Sequence, residues 1–296
     1  MAETERSMSK PGRTPHIVVL VHEHGALEPR YLLHALANVW RERDGVRVTV
    51  LNGPQPDPLT ADLAILHVDL TVVPANHLEY VRQYPQVINA RVADISKRAV
   101  STNLVHRGDG FDGPAIVKTN RNSGGRSEAA LAARHGSIVQ KCSLALRRRL
   151  PWSWRSALES DEYPIFKTVS QVPRGVWRNR DLVVERFLPE RRDGCFCVRT
   201  WTFLGDRELH SLAYARQPIV SADNIIDREP LAEVPLELRR MRRELGFDYG
   251  KFDYAIANGR LVLFDVDRTP LFSGAAEQRS EPDVARLAEG VLMYLR

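Results

Sequence analysis

Asp253, Asp265 and Asp267 are spaced so that they could act together on one ligand. They lie in FDYGKFDYAIANGRLVLFDVDRTP, Phe247 to Pro270, which reads as a β-hairpin. Lys251 to Ala257 forms one strand, Asn258-Gly259 the turn, and Arg260 to Asp267 the return strand. Residues two apart on a strand share a face, so Asp265 and Asp267 point the same way. Clustered carboxylates repel one another, and a divalent cation removes that penalty. Hard oxygen donors, few of them from protein, suit Mg²⁺ carrying phosphates. The turn length constrains this reading. A two-residue loop pairs Ala257 with Arg260 and would set Asp253 opposite Phe264, on the wrong face from Asp265. For both acids to meet one ion, the loop must have three residues or a bulge must intervene.

A second device for phosphate precedes the hairpin. Pro114 to Lys118, PAIVK, reads as a strand ending in lysine, followed by the loop TNRNSGGRSE. The lysine offers a point charge. Ser123, Gly124 and Gly125 let backbone N–H groups approach oxygens closely, as in a mobile phosphate loop. The P-loop pattern itself is absent. Arg199, in the mostly apolar strand CFCVRTWTFL, needs an anionic partner, which could be a substrate group or a structural carboxylate. Lys251 shares a face with Asp253 and could hold a substrate carboxylate.

The lysine-aspartate strand, short turn, acid-x-acid and following proline resemble the metal-binding hairpin of the ATP-grasp superfamily. Its usual final ligand is Asn, where this chain has Asp267. The resemblance spans roughly residues 91–296 and implies further roles. Lys97, read inside a helix from Ala93 to Leu104, would reach nucleotide phosphate together with Lys118. Glu185, Arg186, Phe187 and Leu188 would form the hinge whose backbone meets the adenine edge. Glu190 or Asp193 would hold the ribose. The implied fold class is α/β and α+β: an ATP-grasp fold behind an N-terminal Rossmann-like preATP-grasp domain. Its parts are a disordered tail at 1–14, the preATP-grasp domain at 15–92, a first lobe with the glycine loop at 93–184, and a C-terminal lobe with the acidic hairpin at 185–296.

The N-terminal pattern agrees from its own residues. HIVVLVH is a short β-branched run, Pro29 to Arg43 has helical periodicity, and strands recur at 46–51, 63–68 and 86–89. Such alternation makes an open parallel sheet. The loop His22-Glu23-His24-Gly25 follows the first strand, where such sheets bind ligands. It reads first as structural and second as a substrate contact.

Composition narrows the alternatives. The 296 residues are 43% hydrophobic and 27% charged, an ordinary globular balance with room for two or three cores. No apolar run is long enough to span a membrane, and MAETERSMSKPGRTP has no apolar signal region. Cys142, Cys195 and Cys197 cannot build a disulfide framework and read as buried thiols of a cytoplasmic protein. A net charge of +5 favours anionic ligands, and nucleotide phosphates account for it without nucleic acid. The basic, tryptophan-containing stretch at 136–156 reads as a connector or lid with Trp152 and Trp154 packed inside, rather than as a membrane-surface or nucleic-acid patch.

The expected function is ATP-dependent carbon–nitrogen ligation. The expected cofactors are ATP and Mg²⁺, with Mn²⁺ as a substitute; the partners are a small carboxylate and an amine, and a homodimer is left open. Two other readings stand beside it. One is a nucleotide-binding protein without turnover, raised by Asp267 in place of Asn. The other is a phosphotransferase on the same fold.

Overall fold

A computed structural model of the chain describes residues 13–137, 150–159, 162–271 and 280–295. The first unit is a parallel sheet of β1 (His16–Val21), β2 (Arg47–Asn52), β3 (Leu63–Leu66) and β4 (Val87–Ile88), ordered β2-β1-β3-β4. β1 is buried at every position, as its unbroken apolar run requires of a central parallel strand. Helices α1 (Leu32–Glu42) and α2 (Ala75–Val81) pack against it, as the alternation predicts.

A small antiparallel sheet follows, ordered β6-β5-β7, from β5 (Ala115–Thr119), β6 (Ile165–Phe166) and β7 (Leu182–Arg186). Between β5 and β6 lies α4 (Arg126–His135). The largest sheet contains β8 (Glu190–Arg192), β9 (Cys195–Leu204), β10 (Arg207–Ala215), β11 (Ile225–Pro230), β12 (Tyr249–Ala257) and β13 (Arg260–Asp267). Its order is β11-β10-β9-β12-β13, with β8 on β9. Trp201, Phe203, Phe247 and Phe252 fill its inner face with edge-on ring contacts. Helices α5 (Leu236–Leu245) and α6 (Glu281–Ala288) complete it. The first sheet and the third share one core, which includes Leu33, Leu204, Tyr249 and Leu287. Trp40 Nε1 also donates to Ala288 O, tying α1 to α6 (2.9 Å).

The fold class read from the sequence, α/β and α+β, is the one observed, and the elements come in the order the resemblance implies. Three details differ. The helix expected over Ala93–Leu104 shrinks to α3 (Lys97–Val100). Asp94 Oδ1 accepts from Ser96 N and Ser101 Oγ from Asn103 N, so side chains bend the backbone at both ends instead of extending the helix. The tryptophans are not both packed inside: Trp152 is half-buried and Trp154 is 54% exposed. Of the thiols, Cys197 is buried, Cys195 only half-buried, and both are free; Cys142 and Arg147 to Arg149 lie outside the described residues, as do positions 1–12 of the tail. No helix among the described residues is long and apolar enough to cross a membrane.

Candidate active site

The acidic hairpin resolves its own register problem. Asn258 and Gly259 both take positive φ (51° and 73°) and form a two-residue turn that pairs Ala257 with Arg260. Tyr254 then pairs with Leu263 but Asp253 pairs with Asp265, because Phe264 is inserted as a bulge. The expected bulge is present. It carries Asp253 and Asp265 to directly opposed positions and puts Lys251 opposite Asp267. Like charges so placed repel, and neighbours offset this. Lys97 Nζ lies 3.4 Å from Asp265 Oδ1, Lys251 Nζ lies 3.3 Å from Asp253 Oδ2, and Thr200 Oγ1 donates to Asp253 Oδ1 (2.9 Å).

These groups line one cleft of about 330 Å³ between the small and large sheets, within the usual size range of a small-molecule site. Lys97, Lys118, Ser123, Lys251, Asp253 and Asp265 supply polar groups to it. Ile116, Phe187, Leu188, Val198 and Ile219 supply apolar wall, and Gly124, Arg126, Arg186 and Arg228 also border it. Lys118 Nζ is held 2.6 Å from Glu185 Oε2 and 5.2 Å from the centre of the Phe264 ring. Tyr163 closes one wall; burial, reinforced by the Asp265 charge, pushes its hydroxyl up to about 12.

Ser123, Gly124 and Gly125 all have positive φ, and a β-carbon on Gly124 would stand 2.8 Å from Leu158 O. Glycine is needed at that position for conformation and for space. The turn is docked on its neighbours. Thr71 Oγ1 accepts from Asn122 N (2.9 Å), and Glu128 on α4 accepts from Thr71 N (2.8 Å). Gly125 borders a neighbouring cavity on the other side of the turn.

Three sequence-selected residues stand elsewhere. Arg199 and Glu190 hold each other in a two-pronged ion pair (2.8 Å twice), and Glu190 also accepts from Ile256 N. Val198 and Thr200 line the cleft, so Arg199 lies on the opposite strand face. The anion it needs is therefore Glu190, not a substrate, and Glu190 is not available to a ribose. Asp267 is not among the residues that line the cleft. Its Oδ1 accepts from Thr269 N (2.9 Å), Thr269 Oγ1 (3.2 Å) and Asn122 Nδ2 (3.5 Å).

Among the described residues, no three His, Cys, Asp or Glu side chains gather as a metal cage. The donor set still fits Mg²⁺, which binds through one or two carboxylates and takes its other oxygens from phosphates and water. Asp253 and Asp265 supply such a pair. Burial, with the Asp69 and Asp265 charges adding to it, lifts Asp267 to about 6. A carboxyl that binds its proton more tightly folded than unfolded stabilises the fold most below about pH 3.8, and that stability is withdrawn as pH rises through about 6. Asp267→Asn is therefore expected to raise unfolding stability by roughly 1–2 kcal/mol at pH 8 and to add almost nothing at pH 4. Urea denaturation in EDTA checks this; equal or lower stability of the variant at pH 8 contradicts it.

Sequence reasoning missed Asp69, Thr269 and Asn122, which surround Asp267. Asp69 follows β3 at the carboxyl edge of the parallel sheet, the position at which open α/β sheets place ligands, and that was the available signal.

No protein-family model matches the chain, and no curated protein does. Solved structures similar to it include a D-alanine–D-alanine ligase from Bacillus anthracis (12% identity, 95% of this chain and 96% of that one, TM-score 0.48). Another is the D-cycloserine synthetase DcsG (14%, 95% and 100%, 0.46). A third is a RimK domain ATP-grasp protein from Sphaerobacter thermophilus (13%, 93% and 99%, 0.46).

Proposed function

We propose that the chain is an ATP-dependent ligase that joins a small carboxylate to an amine. The observation that carries this is the opposed pair Asp253–Asp265, at the end of a cleft that also holds Lys97, Lys118 and Lys251. A cleft that combines lysines and carboxylates with the apolar side chains of Ile116, Phe187, Leu188, Val198 and Ile219 suits a nucleotide triphosphate, phosphates on the former and base on the latter. Arg186 N and Phe187 N already donate to Asn103 O and Pro114 O, so among the hinge residues Leu188 has the amide left for the adenine edge. Phe187 and Ile219 would cover the ring.

Mg²⁺ held by Asp253 and Asp265, with Asp267 behind them, would neutralise phosphate charge. Lys118 and Lys97 would hold the transferring phosphoryl group. The substrate carboxylate attacks the γ-phosphorus and ADP leaves, giving an acylphosphate. The amine then attacks the acyl carbon, phosphate leaves, and the amine's proton passes to solvent. Lys251 would orient the carboxylate. No side-chain nucleophile is needed, so positioning and water exclusion carry the rate.

Product analysis tests this. Incubation with Mg·ATP and pooled small carboxylates and amines should give ADP, phosphate and an amide by ³¹P NMR and mass spectrometry. ADP with a phosphoester would replace ligation with phosphoryl transfer to a hydroxyl. Nucleotide binding without any ADP would mark a binding protein.

A further inference from the structure

The edge of β7 that faces away from β5 leads to the cleft, and a neighbouring segment already closes most of it. Val105 N donates to Val184 O (2.9 Å) and Leu104 bridges Glu185, so residues 103–105 run along this edge as an extended partner. Asn103 closes the next position twice. Its main-chain carbonyl accepts from Arg186 N (3.0 Å), and its side-chain Nδ2 donates to Arg186 O (2.6 Å). A carbonyl only accepts, so the amide nitrogen of Asn103 is the atom that meets it. Asn103 is 6% exposed, and Ser101 Oγ accepts from its N–H (3.1 Å).

Beyond Arg186 the same edge is open. Phe187 N turns to β5, where it donates to Pro114 O (2.8 Å). Leu188 comes next on the outer edge, because main-chain groups alternate sides along an extended chain. It borders the cleft among the apolar side chains and makes no hydrogen bond among the described residues. Pro189 follows it, which holds Leu188 to extended backbone and adds no N–H. On this edge, the groups left for a flat base are the N–H and C=O of Leu188.

An N–H beside its own C=O asks a base for an acceptor next to a donor. Adenine offers N1 beside its 6-amino group, and a 6-oxopurine offers O6 beside N1–H. Telling the two apart takes a further fixed acceptor that welcomes the amino group and repels O6. The Arg186 carbonyl stands one position earlier on the same edge, but Asn103 holds it. A base amine that reaches this oxygen competes with the Asn103 NH₂, donor against donor. We propose that Asn103 sets the base specificity of the cleft: by occupying the Arg186 carbonyl it leaves Leu188 alone to read the base, so that 6-oxopurine triphosphates bind about as well as ATP. This rests on the nucleotide reading of the cleft and widens its co-substrate to purine triphosphates.

Isothermal titration of the full chain in Mg²⁺, with no carboxylate or amine substrate present, tests it with three probes: ATP, inosine triphosphate and inorganic triphosphate. ATP and inosine triphosphate should bind within about fivefold of each other, and inorganic triphosphate about tenfold or more weakly than either. Asn103→Ala frees the Arg186 carbonyl for the 6-amino group and sets it against O6, so the preference for ATP over inosine triphosphate should rise about tenfold. A purely structural Asn103 would weaken both nucleotides alike and leave their ratio unchanged. If the variant fails to fold, the native ratio alone decides. A native preference for ATP above about fivefold, an unchanged ratio in Asn103→Ala, or inorganic triphosphate binding as tightly as ATP overturns the proposal. Failure of every triphosphate to bind overturns the nucleotide reading instead.

Discussion

Replacing Lys118 with methionine is expected to weaken Mg·ATP binding about a hundredfold, roughly 2.7 kcal/mol. The lysine borders the cleft beside the docked glycine turn, and its ammonium is held 2.6 Å from Glu185, which is 1% exposed. The same substitution leaves a buried carboxylate without its cation, and one oxygen of Glu185 already lacks a hydrogen bond. Breaking such a pair destabilises by about 3–5 kcal/mol. The two effects separate in a double variant. Lys118→Met with Glu185→Leu removes both charges and should recover most of the stability, yet nucleotide binding should stay weak. Calorimetric titration and urea denaturation of both variants provide the check. Affinity within threefold of the native chain in either variant would remove Lys118 from the phosphate site.

Arg268→Met is expected to be strongly destabilising, by about 3–5 kcal/mol or on the order of 10 °C in Tm. Arg268 is fully buried. Its guanidinium donates to Val68 O (3.1 Å), Val92 O (2.7 Å), Thr71 O (3.0 Å) and Leu70 O, all outside the hairpin. Burial pulls its pKa down to about 10, which leaves it charged near neutrality. Methionine fills similar space but leaves four carbonyls without their donor and removes a cation near Asp267 and Asp69. Arg268→Lys should recover only part of the loss, since an ammonium cannot reproduce the planar fork. Thermal and urea unfolding test this; a loss below 1 kcal/mol for Arg268→Met would mean the four bonds contribute little.

The hairpin was the most legible part of the site. Its turn residues set the pairing, the pairing put Asp253 and Asp265 on opposite faces, and their shared chemistry then required the bulge that Phe264 supplies. Arg199 shows where such reasoning stops. Period-2 alternation separates Arg199 from Thr200 but does not say which face meets the cleft, and Thr200 is the one that does. Nor did it show that Glu190, nine residues earlier, pairs across β8 and β9 with Arg199. That Lys97 stands at the acidic cleft was legible only through resemblance, because its own helix is a single short turn. Asp69 and Arg268 were invisible for another reason. Each acts on a neighbour remote in sequence: Asp69 on Thr269, and Arg268 on the carbonyls after β3. Local patterning carries no information about such contacts.

The most direct test of the account is thermal unfolding with and without Mg·ATP, on the native chain and on Asp265→Asn. A ligand present at a hundred times its dissociation constant adds about 2.7 kcal/mol, a rise of several degrees for a chain of this size. The account predicts that Mg²⁺ and ATP together raise the native midpoint, that ATP in EDTA raises it less, and that Asp265→Asn loses the Mg²⁺-dependent part. An unchanged native midpoint under saturating Mg·ATP, or an equal shift in the variant, would contradict the claim that the opposed acids serve a bound nucleotide.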